Sequence, residues 1–134
     1  MTTNIKGQIA QSKAELRAIE LGMIPSKPIF DARYDLILDD GLSLKKIQIK
    51  YGDGKAQHCN GAVTVKLTYS NRKGDEYFYN NKEVDGLIVY VPKIDRLCFF
   101  PPSVFCGKRK LQIRIEKPKN NQTKNILLAE NYLW

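Results

Sequence analysis

"YDLILDDGLSLKKIQIK", residues 34–50, decides how the rest of the chain is read. An apolar run leads into Asp39, Asp40 and Gly41, and an alternating run leaves them, which predicts a β-hairpin about Asp40-Gly41. Side chains alternate faces along a strand, so Gln48 and Lys50 point one way and Ile47, Ile49 and Tyr51 the other. Asp35 stands near the middle of the first strand. If it lies opposite on the neighbouring strand, its carboxylate, the Gln48 carboxamide oxygen and the Ile49 main-chain carbonyl offer hard oxygen donors to Mg2+, with Lys50 beside them. Such a set suits phosphodiester hydrolysis, in which the lysine orients a water or offsets developing negative charge. A solvent-facing sheet edge explains the same spacing equally well, because an Asp and a Q-x-K pair arise readily by chance.

Working outward, "NIKGQIAQSKAELRAIELG" (4–22) predicts a helix, with Asn4 as cap, Ile9, Leu16 and Ile19 at helical spacing, alanines on the same side, and Gly22 ending it before Pro25. "KPIFDARYDLILDD" and "LKKIQIKY" are expected as paired strands, and "AVTVKLTYS" as one further strand. The polar turn Asn71 to Asp75 leads into "EYFYNN". "VDGLIVYVPK", nearly all apolar, is expected at the centre of a sheet and paired with "RLCFFPP". "PPSVF" opens a short helical turn. After Gly107 an alternating basic stretch becomes a polar loop, and "ILLAENYLW" closes the chain. Asp39 and Asp40 are expected as turn residues, and Asp31 as structural.

The 134 residues, 43% of them hydrophobic, fit one domain, 1–134, with a modest core. The longest apolar runs fall well short of a membrane span, and Met-Thr-Thr-Asn does not begin a signal peptide, so a cytoplasmic protein is expected. Cys59, Cys98 and Cys106 form no CxxC and His58 is the single histidine, so reduced thiols and no structural zinc are expected. The formal charge of +8 is uneven, with −1 over residues 1–40, +4 over 41–106 and +5 over 107–134. A late basic excess is what a polyanion-binding surface produces, although many solvated proteins are also basic.

Together these stretches resemble a family. "KGQIAQ" (6–11), "RYDLILDDG" (33–41), "KIQIKYG" (46–52) and "KEVDGLIVYVPKIDRL" (82–97) stand in the order and spacing found in PD-(D/E)XK nucleases, most closely in the branch of bacterial group I intron homing endonucleases. The resemblance covers most of the chain. It implies a mixed α/β fold with a restriction-endonuclease-like core, an N-terminal helix on a central mixed sheet, and Mg2+-dependent cleavage of double-stranded DNA. It also implies roles: Asp35 as metal ligand, Gln48 where most of the superfamily has Asp or Glu, Ile49 through its carbonyl, and Lys50 as the catalytic lysine. Gln11 is a departure, since the corresponding helix residue is typically a metal-binding Glu. Either Glu15, four residues on and on the same helical face, compensates, or a glutamate has been exchanged for Gln11, so that bound DNA survives uncut. The second is preferred and predicts that Gln11→Glu raises cleavage strongly.

Within that resemblance, Arg72 and Lys73 on the charged turn are candidates for base or phosphate contacts. In the basic segment about 107–125, Lys108, Arg109, Lys110, Arg114, Lys117 and Lys119 are expected to meet phosphates, with Arg114 the preferred base reader. Tyr69, Tyr77 and Tyr79 are read as core, and His58 as surface or packing. A long target exceeds what a chain of this size covers, so at least a dimer, and by resemblance a tetramer, is expected. The apolar segment 126–134 is the candidate interface, or else it covers the protomer's own core. Two other functions stay open: a Holliday-junction resolvase or repair nuclease of the same fold, and a catalytically silent DNA-binding module. A nuclease of this branch is expected in the bacterial cytoplasm, nucleoid-associated when bound to DNA.

Overall fold

A computed structural model describes residues 1–57, 59–117 and 126–134; His58 and Lys119 lie outside that set. Helix α1 spans Thr3–Glu20. Its N-cap is Thr2 rather than Asn4, because the Thr2 hydroxyl accepts from the Ile5 N–H at 3.3 Å, as a threonine cap does. At its other end Gly22 takes φ +81°, and the Gly22 and Met23 N–H groups donate to the Ile19 and Ala18 carbonyls, closing the helix as expected.

The buried face of α1 differs from expectation. Ala10, Ala14 and Ala18, four apart, are fully buried, whereas Leu16 and Ile19 are 58% and 60% exposed. Alanine lets a helix approach a sheet closely, so the methyl stripe faces inward and Leu16 and Ile19 face out, while Ile9 packs half-buried at the edge of the core.

From Gly22 the chain forms β1 (Ile24–Ser26) and, after a stretch without regular structure, β2 (Leu36–Asp39) and β3 (Leu44–Tyr51). The single strand expected over 27–40 is therefore much shorter, and Asp35 sits immediately before it. The β2–β3 turn has the expected chemistry: the Asp39 carboxylate accepts from the Gly41 N–H, and that of Asp40 accepts from Leu42 and Ser43. The stretch expected as one strand over 62–70 is split at Leu67 into β5 (Cys59–Lys66), which pairs with β4 (Gly54–Ala56), and β6 (Thr68–Ser70). Next come β7 (Glu76–Phe78), β8 (Gly86–Val91), β9 (Arg96–Phe100), the short helix α2 (Pro102–Phe105) and β10 (Lys110–Arg114).

The main sheet runs β1-β2-β3-β8-β9, with only β3 and β8 parallel. Every residue of β8 is buried, as its unbroken apolar sequence predicts. One face packs on α1 through Leu36, Leu38, Ile47, Ile49, Ile88 and the three alanines. The opposite face, with Leu87, Val89, Val91 and Phe100, shares a core with Val63, Val65, Leu111 and Ile113 of a second sheet, β10-β5-β4. β6 and β7 pair as a separate two-stranded sheet, with Tyr69 packed against that core. Gly54 allows the close β4–β5 crossing, since a Cβ there would meet the Thr64 carbonyl oxygen at 2.4 Å. No described helix is long and apolar enough to cross a membrane.

The C-terminal segment lies along β9. Phe99 N–H donates to the Tyr132 carbonyl and Trp134 N–H to that of Leu97, while Tyr132 packs on Phe100 and Trp134 on Phe99. The segment thus covers its own protomer's sheet edge, while Leu133 stays 39% exposed.

Candidate active site

Asp35 closes the β2–β3 ladder. Its N–H donates to the Ile47 carbonyl at 2.8 Å, and its Oδ2 accepts from the Ile49 N–H at 2.9 Å. The carboxylate thus takes the place that a continuing strand would fill, and upstream of it the chain diverges and opens a gap beside β3. A strand residue's N–H and C=O lie on one edge, so the Ile49 carbonyl is directed into the same gap.

Gln48 and Lys50 stand in register with Leu87 and Val89 on the sheet face away from α1, as their alternation predicts. Gln48 is 9% exposed and Lys50 is half-buried. From the other face, Gln11 reaches the same gap: its Nε2 donates to the Asp35 carbonyl at 3.2 Å and faces Glu15 Oε1 at 3.4 Å. Gly7, Gln8, Gln11, Lys27, Asp35, Gln48 and Ile49 line a cleft of about 430 Å³. Asp35, Gln48, Ile49 and Gln11 therefore come together, with Lys50 next to them on β3. Glu15 is not itself in the cleft lining, but its Oε1 meets two residues that are, Gln11 Nε2 at 3.4 Å and Lys27 Nζ at 2.8 Å.

The electrostatics oppose charge in this gap. Burial pushes the Asp35 carboxyl above its ordinary value, with the Ile49 N–H and Lys50 pulling it back. Burial likewise pushes Lys50 below its ordinary value; Asp35 resists that shift and Lys66 adds to it. Tyr79, whose ring lies 5.6 Å from the Lys50 ammonium, is pushed up to about 12 by burial and then by Asp35, so it is neutral.

The donors fit a hard divalent cation by type, since all are oxygens, but Asp35 is the sole carboxylate among the lining residues. Among the described residues no cluster of three or more His, Cys, Asp or Glu side chains is placed to hold a metal. Asp85, within the "EVD" stretch, is structural: its carboxylate accepts from the Lys46 N–H at 2.8 Å, and its own N–H donates to the Lys46 carbonyl, joining the start of β8 to β3. Lys6 of the "KG" stretch pairs with Asp53 beyond β3 and fixes α1 over the sheet.

The basic residues fall into two groups. Arg72 and Lys73 are exposed on a turn that Asn71 holds, its Oδ1 accepting from Lys73 and Asp75 N–H groups and its Nδ2 donating to Asp75 and Tyr77. Lys108, Lys110 and Lys117 are exposed as well. Arg109 is tied to Glu76 at 2.6 Å, and Arg114 is half-buried, with Nη1 on Cys59 Sγ and Nε on the Glu116 carbonyl. The guanidinium expected to read bases is thus engaged within the protein. Sequence reasoning missed Lys27, in the cleft wall, and Lys66, which faces Lys110 across the β5–β10 ladder. Lys66 was findable, because it continues the outward alternation of Thr64; Lys27 carries no local signal.

A profile for the PD-(D/E)XK endonucleases matches residues 1–134. The chain belongs to the PD-(D/E)XK endonuclease family. Among solved structures it is similar to the bacterial homing endonuclease I-Ssp6803I, with 27% identity and a TM-score of 0.80 over 99% of this chain and 89% of that one. It shares a fold with the Holliday junction resolvase Hjc of Archaeoglobus fulgidus, at 10% identity and a TM-score of 0.51 over 81% and 84%. No curated protein matches. The PD-(D/E)XK membership bears out the expected fold, a restriction-endonuclease-like α/β core with its N-terminal helix on a mixed sheet. The family is one of nucleases whose members generally use divalent metal ions.

Proposed function

We propose that this chain is a site-specific homing endonuclease that cuts both strands of double-stranded DNA at an intron insertion site, using Mg2+. The observation that carries the reading is the convergence of Asp35, Gln48, the Ile49 carbonyl, Gln11 and Lys50 where β2 leaves β3. Likeness to I-Ssp6803I over nearly the whole chain supports the homing function.

Asp35, Gln48 and the Ile49 carbonyl would hold the ion, with Gln11 at the cleft's helix side. Bound there, Mg2+ supplies Lewis-acid polarisation of the scissile phosphate and a more acidic water. Lys50, beside these ligands on β3, would orient the attacking water and offset negative charge on the phosphoryl oxygens. Asp35, held by the Ile49 N–H, keeps its carboxylate oriented for this work. Arg72, Lys73, Lys108, Arg109, Lys110, Arg114, Lys117 and Lys119 make up the DNA-contacting set; Arg72 replaces Arg114 as the favoured base reader, because Arg114 is already hydrogen-bonded. Lys66 opposite Lys110 supports polyanion binding, since like charges directly opposed across a ladder destabilise the free protein and are relieved by phosphate.

A homodimer or tetramer follows from the need for two cuts and a long target. The outer face of α1, with Ile5, Leu16 and Ile19 exposed, is one apolar surface that could serve it beside the 126–134 segment. A silent DNA-binding module is the second reading, and Gln11 favours it. The test is incubation of this protein and its Gln11→Glu variant with Mg2+ and either a linear duplex carrying an insertion sequence or a four-way junction. Cutting of the linear duplex is expected. Cutting confined to the junction would favour a resolvase, and binding without cutting by either protein would favour the silent module.

A further inference from the structure

A lysine side chain is a flexible stem with a compact charge, so a site that uses one must hold it. Among the described residues no ion pair or side-chain hydrogen bond fixes the Lys50 ammonium. What faces it is a ring: the Lys50 Nζ lies 5.6 Å from the Tyr79 centroid, inside the range of a cation–π contact. Tyr79 is 5% exposed and belongs to the core between the sheets, so this ring has little freedom.

Behind Tyr79 stands a column of rings. Tyr69 lies 5.3 Å from Tyr79, and Tyr77 stacks on Tyr69 at 5.4 Å with 16° between planes. Tyr69 and Tyr77 are directly paired across the β6–β7 hairpin, whose tip carries Arg72 and Lys73. The Arg33 guanidinium covers the column, 4.2 Å from the Tyr69 centroid, and is anchored on Glu83 at 3.3 Å; two residues on is Asp35.

We propose that Tyr79 is a positioning residue for Lys50, its ring being the surface that holds the ammonium, and that the Tyr69–Tyr77 stack clamped by Arg33 ties this placement to the hairpin. The proposal rests on the reading of Lys50 as the catalytic lysine. In consequence, the element expected to touch DNA and the group expected to act on phosphate share one aromatic support.

The test has two readouts. In protein carrying 13Cε-labelled lysine, with Lys50 assigned by Lys50→Arg, its ε-methylene protons are shifted upfield by the ring in the parent and in Tyr79→Phe. They return to the ordinary lysine position in Tyr79→Leu, and move part of the way in Tyr69→Leu. In the Gln11→Glu background with Mg2+, Tyr79→Phe cleaves within about twofold of its parent, whereas Tyr79→Leu slows single-turnover cleavage about tenfold with DNA affinity kept, the size of one cation–π contact. If Tyr79→Leu fails to fold, Tyr79→Met, which also lacks a ring, is read the same way. An unshifted Lys50 in the parent overturns the proposal, and so does a ringless variant that cleaves at the parental rate. If Lys50→Ala itself cleaves like the parent, the catalytic reading of Lys50 falls and takes this proposal with it. A silent Lys50→Ala beside an unimpaired Tyr79→Leu sinks only the role of Tyr79.

Discussion

At the scale of single residues the site is one carboxylate short of a strongly charged centre, and Gln11 shows why that matters. Its Nε2 faces two acceptors, the Asp35 carbonyl and the Glu15 carboxylate. A glutamate in its place would set a negative oxygen against both unless a cation stood nearby. Gln11→Glu should therefore lower Tm in EDTA relative to the parent, and added Mg2+ should raise the variant's Tm by more than the parent's; equal Mg2+ shifts would separate Gln11 from the metal site. Lys50→Ala removes the ammonium and leaves the exposed hairpin-tip and β10 cations in place. Single-turnover cleavage should fall by about 10²-fold or more, the usual cost of losing one transition-state charge partner, while the Kd for duplex changes little. Asp35, expected mid-strand, lies just before β2 and is held by the Ile49 N–H, whereas the Q-x-K spacing was legible because strand alternation dictates its directions. The Tyr79 ring under Lys50 was not, because an aromatic on a strand reads as core, and here it is core and neighbour of the lysine at once.

At the scale of elements, α1 shows how a correct helix can be read with the wrong face inward. Leucine and isoleucine at helical spacing suggest a buried stripe, but the separation from the sheet is set by Ala10, Ala14 and Ala18, and no local pattern announces that separation. Ala14→Leu should cost about 1–3 kcal/mol by overpacking, whereas Leu16→Ala in the protomer should stay within about 0.5 kcal/mol; urea unfolding of the two variants measures both. Strand β8 was legible for the opposite reason, since burial on both faces leaves an unbroken apolar run that few other environments tolerate. The divergence after Ser26 and before Leu36 was not legible. It ends where the Asp35 carboxylate substitutes for backbone at the end of the ladder, through a long-range bond to Ile49 that no local pattern announces.

At the scale of the whole molecule, the charge gradient resolves into surfaces. The late basic excess includes β10, where exposed Lys110 faces exposed Lys66 of β5 across the ladder, and the hairpin tip adds Arg72 and Lys73. Lys66→Glu should convert a repulsive cross-strand pair into an attractive one, stabilising the free protein by about 0.2–1 kcal/mol. The same change should weaken duplex binding and flatten its log Kd against log salt slope by about 0.9 for each phosphate no longer neutralised. A rise in Tm with unchanged DNA affinity would place the DNA elsewhere. The measurement that bears most directly on the central claim is cleavage of a linear duplex carrying an intron insertion sequence, with Mg2+ and with EDTA, by the Gln11→Glu protein and by Gln11→Glu/Lys50→Ala. Double-strand cutting by the first only, and only with the metal, is the predicted result. DNA bound but left whole by both, with Mg2+ present, would contradict it and leave the gap beside β3 without the chemistry assigned to it.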